Sequence, residues 1–126
     1  MKVLINITAV LLLGARLATA AGSADLDQLK VLYIGDSGTS RAQHFKGFLA
    51  KNVGRVEVTS RKDFTPSDAA AFDVVLLDWP QSNTGREEGK GKSPLGARDS
   101  WNKPTVLLGS AGLNLAVVWK VRGGSG

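Results

Sequence analysis

The chain has 126 residues, with 16 Lys and Arg against 11 Asp and Glu, one His and no Cys. That length supports one compact domain and not two. Without Cys there is no disulfide framework, thiolate nucleophile or iron–sulfur ligation, and a lone His argues against a His-rich metal centre. The net charge of +5 is scattered among acids rather than gathered in a stripe, so no nucleic-acid partner is expected.

In chain order, the first signal is a leader. Lys2 precedes the apolar run Val3-Leu4-Ile5-Asn6-Ile7-Thr8-Ala9-Val10-Leu11-Leu12-Leu13, and Ala18-Thr19-Ala20 supplies the small-x-small pattern of a signal-peptidase site. The run is shorter than the ~20 residues a bilayer span requires, so it predicts export with cleavage after Ala20 and no membrane span. A secreted or periplasmic location follows, which excludes chemistry dependent on cytosolic ATP, NAD or a phosphorelay. Cleavage would remove Lys2 and Arg16, lowering the net charge from +5 to +3, and would leave residues 21–126 as a single domain.

Lys30-Val31-Leu32-Tyr33-Ile34 is a nearly continuous apolar run ending at Gly35-Asp36-Ser37-Gly38, the pattern of a strand buried on both faces. Ser40-Arg41-Ala42-Gln43 fits a capping box, and Ala42, Phe45, Phe48 and Leu49 follow at helical spacing up to Gly54. Val56 and Val58 alternate with polar residues as a shorter strand. Thr65, Pro66 and Asp68 open a further helix whose small apolar face is Ala69, Ala70 and Phe72. Asp73-Val74-Val75-Leu76-Leu77-Asp78 and Pro104-Thr105-Val106-Leu107-Leu108-Gly109 are two more buried strands. Leu113, Ala116, Val117 and Val121 mark a last helix, ended by Gly123 and Gly124. Strands alternating with helices predict an α/β fold: a three-layer, flavodoxin-like parallel sheet of order 2-1-3-4 with flanking helices.

Two features break this pattern. Residues 81–102 carry four Gly, seven charged residues and no apolar periodicity, so they read as a long loop that leaves one sheet face thinly covered. The chain also stops at a helix cap, which predicts an incomplete sheet lacking a fifth strand. The last strand, 105–109, would then be an open apolar edge suited to self-association.

In an open parallel sheet, ligands bind beyond the carboxyl ends of the strands, where the strand order reverses. Those ends carry Gly35, Asp36 and Ser37, then Asp78 and Trp79, then Ser110. Two carboxylates and two hydroxyls converging there predict a site for a small polar molecule, carbohydrates included, with neither cofactor nor metal.

Gly35-Asp36-Ser37-Gly38-Thr39 resembles the nucleophile block of SGNH (GDSL-type) hydrolases, which makes Ser37 the alternative catalytic residue of an esterase. That family draws its base from a late Asp-x-x-His motif that this chain lacks. The stretch from Phe72 to Pro80 looks like the phosphoacceptor strand of receiver domains, a likeness of fold rather than function. The resemblance that covers most of the chain, residues 28–124, is to class I glutamine-amidotransferase-like domains, nearest their ThuA-like (trehalose-utilisation) branch. It rests on the first strand, the short second βα unit and the run from Lys103 to Gly112. There Gly109-Ser110-Ala111-Gly112 stands where amidotransferases carry a Cys elbow. The resemblance therefore implies the fold without glutamine hydrolysis, while the convergence of Asp36, Ser37, Asp78 and Ser110 with no base or thiol nearby predicts ligand binding without covalent catalysis, a non-catalytic interaction fragment being the further alternative to the esterase.

Overall fold

The computed structural model describes residues 25–80 and 92–121. The expected leader with its expected cleavage site at Ala20, residues 81–91 of the long loop, and Gly123 and Gly124 lie outside the described residues. The elements are β1 (Lys30–Gly35), α1 (Ser40–Ala50), β2 (Arg55–Ser60), a 3₁₀ helix (Pro66–Ala71), β3 (Val74–Trp79), a 3₁₀ turn (Arg98–Ser100), β4 (Thr105–Gly109) and α2 (Ala111–Val118). All pairings are parallel and the strand order is β2-β1-β3-β4, a flavodoxin-like arrangement.

The strands form because alternate side chains find a partner layer on each side. On one face Leu32, Ile34, Val75 and Leu77 pack with Phe64, Ala69, Phe72, Leu95, Ala111 and Leu115. On the other, Val31, Tyr33 and Leu76 pack under Ala42 and Leu49 of α1. Ile34, Val75 and Leu77 are wholly inaccessible. Full burial of such side chains stabilises the fold by about 1.5–3 kcal/mol each.

Three local expectations for α1 are corrected. The helix N-cap is Thr39, not Ser40: Thr39 has the extended cap conformation, and its hydroxyl accepts from the Ala42 N–H at 3.3 Å. Gln43 is then too deep in the first turn to close a box, and its amide donates to the Ser37 carbonyl at 3.3 Å instead. Phe48 is 64 % exposed, because it lies about 100° around the helix from the stripe formed by Ala42, Phe45 and Leu49.

The return segment before β4 is packed where it is described. Leu95 is buried in the core, and the Trp101 indole N–H donates to the Thr105 hydroxyl at 2.8 Å. Leu95, the 3₁₀ helix at Pro66–Ala71 and α2 together cover the face expected to be thinly covered. A single inserted Leu leaves no periodicity for a sequence pattern to register.

The last helix turns the opposite way from expectation. Leu113, Val117 and Val121 are exposed, while Ala111, Asn114 and Leu115 face the sheet. A segment apolar nearly all round cannot announce its buried side. Ser110 makes that choice: its N–H donates to the Trp79 carbonyl at 2.7 Å, fixing the rotation with which α2 starts. Gly109 has φ +63°, and a Cβ there would lie 2.3 Å from the Trp79 oxygen, so only glycine fits this turn.

Candidate functional site

The order reverses between β1 and β3, whose neighbouring carboxyl ends are joined by residues the sequence pattern did not single out. Asp78 is 1 % exposed and points toward α1. Its carboxylate accepts from Arg41 Nε at 2.6 Å and Arg41 Nη2 at 3.0 Å, and from the Tyr33 hydroxyl. This two-pronged guanidinium contact is the strong form of the interaction. Gly35 makes it possible, because a Cβ there would sit 2.7 Å from the Tyr33 ring, which runs along β1 to reach Asp78. Phe45 stacks on Tyr33 at 5.5 Å and lies under the Arg41 guanidinium at 5.2 Å, completing the wall. Burial first, and then the bond to Asp78, push the Tyr33 phenol well above its ordinary value, while the same carboxylate raises Arg41 further.

Arg61, the first residue past β2, bridges the strand ends from the other side. Its Nη1 donates to the Asp78 carbonyl at 3.1 Å, and Nη2 pairs with Asp36 at 3.2 Å. The guanidinium lies 5.0 Å from the Trp79 ring centre, a cation–π distance. Arg61 reaches the crevice because its N–H extends the sheet register to the Gly35 carbonyl, at 2.9 Å.

Gly35, Asp36 and Asp78 are thus drawn together through Arg41 and Arg61, whereas the two hydroxyls are not part of that cluster. Ser37 occupies the turn before α1, and its hydroxyl bonds to none of the described residues. The Ser110 hydroxyl donates to the Trp79 carbonyl at 2.9 Å and accepts from the Asn114 amide at 3.4 Å. His44 is exposed on α1, where it lines an apolar hollow with Phe45 and Phe48. No hydrogen bond joins it to Ser37.

Strand alternation divides the crevice. Asp78 faces α1, whereas its neighbour Trp79 faces the opposite layer and floors a hollow of about 160 Å³. Arg61, Lys62, Lys92 and Pro94 form the rest of that hollow. A broader groove of about 370 Å³ adjoins it through Lys92 and runs past Ser93, Gly96 and Ala97 to Val118 and Trp119. Among the described residues no three His, Cys, Asp or Glu side chains cluster as a metal site, and no helix is long and apolar enough to cross a membrane.

Arg61 and Arg41 carried a sequence signal that composition obscures. Each is the residue at a strand exit or a helix start beside the switch point. Lys92 lay inside the stretch without periodicity and had none. Compared with known proteins, the chain matches no family model, no curated protein and no solved structure.

Proposed function

We propose that this protein is an exported, ThuA-like α/β domain that binds a small polar ligand, without covalent catalysis, at the carboxyl ends of β1, β2 and β3. One observation carries the reading: a hollow of about 160 Å³ opens at the switch point, with charged side chains around an aromatic floor. Such convergence of polar groups on a part-apolar concavity is the usual form of a small-molecule site. The ThuA-like assignment is supported by the strand order and by the strand-turn-helix at Gly109 and Ser110, which holds no nucleophilic thiol. The esterase reading lacks such support. A serine nucleophile needs a base within hydrogen-bond reach, and no described residue bonds to the Ser37 hydroxyl.

Thermal-shift screening of sugars, organic acids and phosphates tests the binding reading. At least one class is expected to raise Tm, and Arg61→Ala is expected to cancel the rise. A protein that responds to no class would not be a binder of small polar molecules. Turnover of p-nitrophenyl acetate that disappears in Ser37→Ala would replace binding with hydrolysis. For export, the expected outcome is a mature protein whose amino terminus, by mass spectrometry, is Ala21.

A further inference from the structure

We infer that the hollow over Trp79 selects a small doubly charged oxyanion, a phosphate group or a short dicarboxylate, rather than a neutral sugar. This rests on the crevice being a binding site and adds the class of ligand. The sequence directs attention to acids, yet both acids at the crevice are already matched. Asp78 is enclosed by Arg41 and Tyr33 on the far side of β3, and Asp36 pairs with Arg61. What faces the hollow is Arg61, Lys62 and Lys92, and of these the described ion pairs include only that of Arg61 with Asp36. Lys62 and Lys92 make no ion pair or hydrogen bond to any described residue, so among those residues two positive charges at the rim have no acidic partner.

Three structural features make these cations suited to an anion rather than merely exposed. They come from separate segments, after β2 and before β4, and converge on one concavity. The guanidinium of Arg61 lies over the Trp79 ring, 5.0 Å from its centre, and is anchored to the Asp78 carbonyl, so it does not have to be ordered when a ligand arrives. Trp79 and Pro94 form an apolar floor, which strengthens charge–charge attraction relative to open water. The volume matches small ligands, since a cavity of ~150 Å³ accommodates a benzene ring. The two ammonium groups complement a charge of minus two.

Titration calorimetry of the full chain with inorganic phosphate and with malonate tests this, with acetate and glucose as single-charge and neutral controls. At least one of phosphate and malonate is expected to bind saturably, and acetate about tenfold more weakly. Whichever of the two binds more tightly names the source of the charge. Lys62→Gln and Lys92→Gln are each expected to weaken binding about tenfold, and the double variant to abolish it. Both side chains are exposed and unbonded, so these variants should melt as the parent does, which separates lost binding from lost folding. Dianion binding unchanged in the double variant would overturn the inference. So would a neutral sugar that binds in its place and is lost in Asp36→Ala, although the crevice would then remain the site. A protein that binds none of the probes and responds to no class in the thermal screen would remove both readings.

Discussion

Asp78 is the residue on which the crevice depends, and the two members of its ion pair with Arg41 are unequal. Arg41 is 45 % exposed and returns to water if the carboxylate is removed, whereas Asp78 is buried and cannot. Removing one member of a buried pair is costly chiefly for the charge left behind. Arg41→Ala is therefore expected to destabilise by about 3 kcal/mol and Asp78→Asn by only ~1–2 kcal/mol. In the double variant the two costs should fall short of additivity, because the stranded carboxylate is gone. Urea unfolding of the three variants checks this, and Asp78→Asn costing more than Arg41→Ala would refute it.

Tyr33, the single tyrosine, gives the same cluster a pH signature. Its folded phenol lies above the unfolded value, so the unfolded chain releases that proton first as pH rises. The associated stability is complete below about pH 10 and is lost as pH climbs from there toward the raised folded value. Melting temperature followed from neutral to alkaline pH should fall more steeply in the parent than in Tyr33→Phe. Equal slopes would mean that Tyr33 is not held protonated by Asp78 and its burial.

At the scale of elements, strands β1 and β3 were legible because parallel strands buried on both faces are continuous apolar runs, and Val75, Leu76 and Leu77 could be little else; β4 was legible as a strand from the same kind of run but is not the buried strand expected, since it lies at the edge of the sheet with Val106 and Leu107 exposed. Their order follows from right-handed crossovers. The helices were legible as helices but not in rotation. The choice of Leu113 and Val117 over Leu115 in α2 depends on how the chain turns at Gly109 and Ser110, which periodicity does not encode. The crevice proposed as the site could be placed from sequence at the strand ends, but its charge could not. Asp36 and Asp78 stand at the switch point as the motifs implied, but the arginines that neutralise them come from α1 and from the end of β2, brought in by tertiary contacts.

The same rotation of α2 buries Asn114, 1 % exposed, with its side-chain oxygen unpaired among the described residues. An unpaired buried polar atom costs about 1–3 kcal/mol, while its one long bond, to Ser110 at 3.4 Å, returns less. Ser110 keeps its stronger bond to Trp79, so Asn114→Leu is expected to be neutral or to stabilise by up to ~1 kcal/mol in thermal melts. A clear loss in Tm would show that Asn114 is satisfied in a way the contacts around it do not record.

For the whole molecule, the unbalanced feature is the β4 side of the sheet. β2 is the other outer strand, and its polar residues Arg55, Glu57, Thr59 and Ser60 discourage pairing. β4 has no such protection. Its bonds to β3 begin with the Pro104 carbonyl and end with the Ser110 N–H, so in a period-two ladder Thr105, Leu107 and Gly109 turn their backbone groups outward. Val106 is 46 % and Leu107 44 % exposed, and on α2, which follows β4, Leu113 and Val117 are exposed as well. Open backbone groups between exposed apolar side chains favour pairing with the same strand of a second copy. An antiparallel pairing about Leu107 would set each Thr105 opposite a Gly109 and close the edge through two-fold symmetry. Light scattering is expected to show association that rises with protein concentration, and Leu107→Lys, which places a charge on the edge, to return the protein to a monomer without lowering Tm by more than ~1 kcal/mol equivalent. A parent protein that stays monomeric at the highest concentrations would show that this edge is covered in solution.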